Sequence, residues 1–258
     1  MQTTPHILVI GGHDPSGGAG IQADIETGAA LGCRVFSLVT CLTSQNTQNV
    51  YAVSPQSVDA LADQFERLIN DVQIDAIKVG LLGDLAIAQW LAPRLVDLKR
   101  PVTLDPVLRA GGGESLSNQA LIDHLKTDWL PWLTCLTPNR AEARALSTCD
   151  DMSEAGKTLI NAGTQHVLIT GADEANDEMV HNTLFTHDQH QHQQYEWPRL
   201  PHTFHGSGCT LATALTCELA KTGDILDATQ QAQAFTWGAL SRGEQVSDGQ
   251  HLPNRRLS

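Results

Sequence analysis

The sequence contains no run of basic residues, no Cys-x-x-Cys, no Gly-Lys-Ser/Thr and no apolar stretch long enough to span a bilayer. Each absence removes a class of protein. Only 16 Lys and Arg stand against 29 Asp and Glu, a formal charge of −13 at pH 7 that repels a polyphosphate backbone, so nucleic acid is not an expected partner. The six cysteines, Cys33, Cys41, Cys135, Cys149, Cys209 and Cys217, follow no spacing of a disulfide framework or zinc site, which suits reduced thiols in the cytoplasm. Met1 to Gly12 carries no Lys or Arg and only the short apolar run Ile7 to Ile10, which resembles neither a signal peptide nor a membrane span. No internal repeat and no low-complexity linker interrupts the chain, so one domain over 1–258 is expected, large enough to bury its core without metal or disulfide.

Short, β-branched apolar runs alternate with helical patterns, the sign of a parallel sheet covered by helices. Strands are predicted at His6 to Ile10, Val35 to Leu42, Ile74 to Val79, Val102 to Leu104, Leu133 to Thr137 and Val167 to Thr170. Ser54-Pro55 reads as an N-cap with proline at the first helical position, opening a helix whose Val58, Leu61, Ala62, Phe65, Leu68 and Ile69 share one face. Val180 to Leu200 alternates around a polar tip and reads as an antiparallel hairpin added to the sheet. Helices are expected at Cys209 to Lys221 and Ile225 to Ser241, followed by a loose tail from Pro253 to Ser258.

Four motifs carry the chemistry. Gly11-Gly-His-Asp-Pro-Ser-Gly-Gly-Ala-Gly20 joins the first strand to a helix, and its five glycines let backbone approach a ligand. The alternatives are an elaborate turn without a ligand or a displaced dinucleotide fingerprint at Gly18-Ala-Gly-Ile-Gln-Ala23. His205-Gly-Ser-Gly-Cys-Thr210 precedes a helix whose first amides form an anion nest, with Cys209 either a thiolate base or nucleophile favoured by the helix dipole, or a small packed residue. Leu104-Asp-Pro-Val107, followed by Gly111-Gly-Gly113, and Thr137-Pro-Asn-Arg-Ala-Glu142 place Asp105, Asn139 and Glu142 at strand ends. These oxygen donors suit Mg²⁺ beside a phosphate, although Asn139 and Glu142 equally suit a helix cap. With so few cations, phosphate recognition is expected to rest on amides and a metal. His187, His190 and His192 read as a solvated hairpin tip.

Six blocks in one order, His13 to Asp24, Thr43-Ser-Gln-Asn-Thr-Gln48, Lys78-Val-Gly-Leu-Leu-Gly83, Leu104 to Val107, Thr137 to Glu142 and Gly206-Ser-Gly-Cys-Thr210, resemble the hydroxymethylpyrimidine/phosphomethylpyrimidine kinases of thiamin biosynthesis, a ribokinase-like family. The resemblance implies a three-layer α/β fold and ATP-dependent, Mg²⁺-assisted phosphorylation of 4-amino-5-hydroxymethyl-2-methylpyrimidine and of its monophosphate, by a homodimer. Gln45 would bond the aminopyrimidine edge, with Gly12, Ala19, Leu81 and Val107 around the ring. Gly206, Ser207, Gly208 and Cys209 would form the anion hole, with Cys209 where the wider superfamily has a catalytic Asp. Asn139, Glu142 and Thr170 would serve the ATP phosphates, with Asp105 and Glu142 towards Mg²⁺. Three residues depart from the family pattern: Leu81 stands for methionine, Thr170 for lysine and Ser207 for threonine. Pyridoxal or pyridoxine kinase and a non-catalytic ligand-binding paralogue are the alternative readings.

Overall fold

The computed structural model describes residues 4–108, 116–173, 178–187 and 192–256. Among the described residues nine strands form one sheet: β1 (His6–His13), β2 (Arg34–Gln45), β3 (Val50–Pro55), β4 (Ala76–Val79), β5 (Val102–Leu104), β6 (Cys135–Leu136), β7 (His166–Ile169), β8 (Met179–Thr186) and β9 (Gln193–Pro198). Their spatial order is β3-β2-β1-β4-β5-β6-β7-β8-β9. The six central strands pair in parallel, β3 runs antiparallel to β2 at one edge, and the β8–β9 hairpin closes the other.

The central strands are unbroken apolar runs because both faces are covered. Leu8 and Ile10 point into one core with Ile77, Val79 and Leu104, whereas Ile7 and Val9 point into the other with Ala76. Helices α2 (Val58–Asp71), α3 (Leu85–Leu98), α4 (Gln119–His124), α5 (Arg140–Ser147) and α6 (Met152–Asn161) supply the first core. Helices α1 (Gly20–Ala30), α7 (Ser207–Thr222) and α8 (Ile225–Ser241) cover the opposite face. This is the expected three-layer arrangement. No helix among the described residues is long and apolar enough to cross a membrane.

Two expectations are corrected. Ser54 and Pro55 lie in β3, paired with Leu42 and Cys41, and the cap of α2 is Ser57, whose hydroxyl accepts from the Ala60 amide at 3.2 Å. Proline is tolerated there because β3 is an edge strand. As far as Arg255 the tail is packed. Pro253 and Arg255 are buried, and residues 251 and 252 bridge Phe204 and Glu244. Gly111 to Gly113 and His190 lie outside the described residues.

Strand β1 is flanked by β2 and β4, so the chain reverses its direction of travel across the sheet there. A crevice opens at the carboxyl ends of strands on either side of such a switch point. A register shift between Gly11 and Gly12 bends β1 at its mouth.

Candidate active site

The crevice is a cavity of about 530 Å³, and every site residue that the resemblance implies lies on its wall. Gly12 is the penultimate residue of β1, Ala19 precedes α1, Gln45 ends β2, and Leu81 follows β4. Asp105 and Val107 follow β5, Asn139 and Glu142 start α5, Thr170 follows β7, and Gly206 to Cys209 lead into α7. All are at the same edge of the sheet because parallel strands deliver their carboxyl ends to one side.

The two glycine-rich turns pack backbone to backbone. Gly206 is left-handed at φ 83°, and a Cβ there would strike the Gly18 carbonyl oxygen, while one on Gly20 would strike that of Gly12. Asp14 organises the first turn: its carboxylate accepts from the Ser16 amide at 2.8 Å, the Ala19 amide at 2.9 Å and the Ser16 hydroxyl. It also meets His205 Nε2 at 2.8 Å, linking the two turns. Burial alone raises the Asp14 pKa, but hydrogen bonds from His205, Gln45 and Ser16 outweigh it and hold the carboxyl well below its usual range. Neither Asp14 nor His205 was singled out from sequence, since each gains its role from the other, 191 residues away.

Helix α7 starts with Gly206 and no side-chain cap, and α1 likewise has none. Their first-turn amides are therefore available to an anion. The Asp105 carboxyl lies beside this turn, 3.7 Å from where a Cβ of Gly208 would sit. For Cys209 the sequence left a thiolate and a small packed residue both open. Burial, with Asp105 and Asp24 nearby, pushes its thiol up to about 11, against the smaller pull of Lys78 and the Gly20 amide. The helix terminus does not make it a thiolate in the free protein, because desolvation is the larger effect.

Lys78, also passed over, lines the cavity although only 1% exposed. Its ammonium donates to both Asp24 oxygens, at 2.9 and 3.0 Å, and Thr213 donates to the same carboxylate at 2.7 Å. Burial disfavours its charge, but Asp24, Cys209 and Asp105 more than restore it, and its pKa lies above the ordinary value. A cation thus does stand behind the nest. Its signal was available in Lys78-Val-Gly, a charge inside a buried strand.

Asn139 and Glu142 form the capping box anticipated as the plainer reading: the Asn139 side chain accepts from the Glu142 amide and Glu142 from the Asn139 amide, both at 2.9 Å. The other Glu142 oxygen accepts from the Leu108 amide at 3.3 Å. The cap does not withdraw Glu142 from the crevice, for it also lines the cavity. Burial and the Asp105 charge push Glu142 up to about 8 against those amides, and burial pushes Asp105 up to about 6 despite Lys78. No cluster of three or more His, Cys, Asp or Glu able to hold a metal occurs among the described residues. Two costly neighbouring carboxylates fit an ion that brings its other ligands with it, as Mg²⁺ does with phosphates and water.

The far end of the cavity is aromatic. Trp197 and Trp237 stack with ring centroids 6.3 Å apart, and Gln233 accepts from Trp197 at 3.1 Å and from Asn182 at 2.8 Å. Asn182 in turn accepts from the Gly171 amide at 3.0 Å. These residues went unnoticed because they come from β8, β9 and α8.

A mostly parallel sheet, an uncapped glycine-led helix at its switch point and no phosphate-binding Gly-Lys-Ser/Thr loop define a ribokinase-like phosphotransferase. The family described as phosphomethylpyrimidine kinase matches residues 14–254, and the chain belongs to it. The hydroxymethylpyrimidine/phosphomethylpyrimidine kinase of Bacillus subtilis is 34% identical over 257 residues, covering 97% of this chain and 94% of that protein. A pyridoxal kinase from Staphylococcus aureus, solved with pyridoxal, superposes with a TM-score of 0.89 at 27% identity, covering 98% of this chain and 94% of that one. A phosphomethylpyrimidine kinase from Clostridium difficile superposes at 0.79, also at 27% identity, over 90% of this chain and 98% of that one.

Proposed function

We propose that this chain transfers the terminal phosphoryl group of ATP to the hydroxymethyl oxygen of 4-amino-5-hydroxymethyl-2-methylpyrimidine, and then a second group to the resulting monophosphate. The observation that carries this reading is the uncapped first turn of α7, set between a small pocket of Gly12, Ala19, Gln45, Leu81 and Val107 and the acids Asp105 and Glu142. The ring would lie in the pocket, with the Gln45 amide on its aminopyrimidine edge, which needs both donor and acceptor. The phosphates would extend past Gly206 to Cys209 towards Asn139, Glu142 and Thr170, and the nucleotide base would reach the aromatic end.

Phosphoryl transfer asks for position and charge stabilisation more than covalent help. The amides of Ser207, Gly208 and Cys209 hold the equatorial oxygens, and Lys78 adds positive potential from behind. Cys209, protonated in the free protein, serves through its amide and small size. Asp105 and Glu142 would hold Mg²⁺, which would neutralise phosphate charge. We further read residues 1–258 as one catalytic domain, acting as a cytoplasmic homodimer.

Phosphorylation of pyridoxal is the second reading, favoured by the closeness of the S. aureus structure. Coupled ADP release with Mg-ATP against hydroxymethylpyrimidine, its monophosphate, pyridoxal and pyridoxine separates them. Turnover with pyridoxal and none with either pyrimidine replaces the first reading by the second. No ADP release with any of the four acceptors leaves a non-catalytic ligand-binding paralogue.

A further inference from the structure

The C-terminal segment contributes a buried guanidinium to the foundations of the site. Arg255 is 3% exposed, and its three nitrogens have three different partners. Nε donates to the Thr210 hydroxyl at 2.9 Å, Nη2 donates to the Gly18 carbonyl, and Nη1 meets Glu26 at 3.0 Å. Thr210 relays the first contact, since its hydroxyl donates to the Gly206 carbonyl at 2.8 Å. One rigid planar group therefore grips the first glycine-rich turn and the first turn of α7 at once.

The backbone that carries Arg255 is itself fixed. His251 donates to the Thr203 carbonyl at 3.0 Å and accepts from the His205 amide at 2.9 Å. Leu252 and Glu244 exchange two amide bonds at 2.9 Å, and Asn254 donates to the Ala239 carbonyl at 3.0 Å. Thr203 and His205 directly precede the turn into α7, Ala239 is in the last turn of α8, and Glu244 follows that helix.

We propose that Arg255 is a positioning residue of the transfer reaction, setting the spacing between the Gly18 turn and the amides of Ser207, Gly208 and Cys209. The proposal rests on the reading of that helix start as the phosphoryl site. Gly206 backs directly on the Gly18 carbonyl, so a shift of either turn moves the amides relative to the ring pocket. Displacements of about 1 Å at such a site lower rates by roughly a hundredfold. A lysine cannot replace the fork, because a single ammonium has no fixed geometry for two acceptors on separate segments. Glu26, 44% exposed in its side chain, engages only the outer nitrogen and is not part of this linkage.

The test compares wild type, Arg255→Met, Arg255→Lys, Thr210→Val and Glu26→Gln by steady-state kinetics, each well below its melting temperature. Arg255→Met and Thr210→Val should lower kcat roughly tenfold or more while KM for the pyrimidine stays within about twofold, Arg255→Lys should recover little, and Glu26→Gln should match wild type. A folded Arg255→Met protein with a lowered melting temperature but wild-type kcat would make the contact merely structural and overturn the proposal. If that variant does not fold, Thr210→Val decides on the same criterion. A wild type without turnover sinks the phosphotransfer reading instead. Arg255 is then judged by the ATP-induced rise in melting temperature, which Arg255→Met must weaken about tenfold in apparent affinity and whose retention refutes the assignment.

Discussion

Glu142→Gln should make the free protein more stable at alkaline pH while making it a poorer enzyme. Burial and the neighbouring Asp105 raise the Glu142 carboxyl from 4.5 to about 8, so its folded-state pKa lies above its unfolded one. A group shifted in that direction disfavours the fold only where it is ionised, and its penalty grows as pH rises from 4.5 through 8. At pH 9 the displacement corresponds to about 4–5 kcal/mol. Glutamine removes the charge but keeps only one acceptor for the Asn139 and Leu108 amides, a loss of about 1–2 kcal/mol. The net gain of about 3 kcal/mol is a rise in melting temperature of roughly 6–12 °C for a chain of this size, and it should disappear by about pH 5. Differential scanning calorimetry without ligand, at pH values from 5 to 9, measures it directly. Wild type and variant running parallel across that range would refute the reasoning, because the carboxylate would then be compensated inside the fold. In assays the same variant should need more Mg²⁺ and turn over more slowly.

In the proposed complex Gln45→Leu would leave the aminopyrimidine edge without a partner, and titration should show a loss of about 1–3 kcal/mol for the pyrimidine, roughly tenfold, with ATP affinity little changed. Equal losses for both ligands would mean that Gln45 supports the Asp14–His205 pair instead. Cys209→Ser keeps the amide and the size, so activity should fall by less than about tenfold, well short of the 10²–10⁴ expected of a lost general base. A loss on that larger scale, together with a displaced pH profile, would return the sulfur to the proton transfer. Lys78→Met strands a buried carboxylate and should cost about 3–5 kcal/mol in urea unfolding, much of it recovered in the double variant with Asp24→Asn. Failure of the double variant to recover would show that Lys78 stabilises through something other than Asp24.

Local patterns made much of this molecule legible. The parallel strands were readable because Ile7 to Ile10 and Val167 to Ile169 are apolar at every position, as strands covered on both faces must be. The cavity wall was readable because Gly12 near the end of a strand, Asp105 just past one, and Asn139 and Gly206 just before helices are positions that a parallel sheet gathers at one edge. Strand β3 was misread because Ser-Pro has the local chemistry of a helix start, while pairing with β2 is a tertiary fact. Cys209 was left open between a thiolate and a small packed residue for a related reason: the helix dipole is written in the sequence, whereas the desolvation that opposes it is not. Lys78 with Asp24, Asp14 with His205, and Arg255 with Gly18 escaped notice because each member is unremarkable alone. Separations of 54, 191 and 237 residues carry no periodic signature.

The linkage between residue 255 and residue 18 also bears on how the protein comes to its native state. Contacts between distant parts of a chain form only after the intervening loops have closed, and parallel strands with crossover helices are slow to assemble. The amides of α7 can adopt their final spacing only when β1, α7 and the C-terminal segment are all in place. Competence to bind phosphate should therefore be among the last properties to appear during refolding, later than the far-ultraviolet signal of the helices. A ligand that engages those amides would capture the finished molecule and withdraw it from partly folded forms. The pyrimidine and nucleotide would thus guard the enzyme against unfolding at the point where its assembly is slowest.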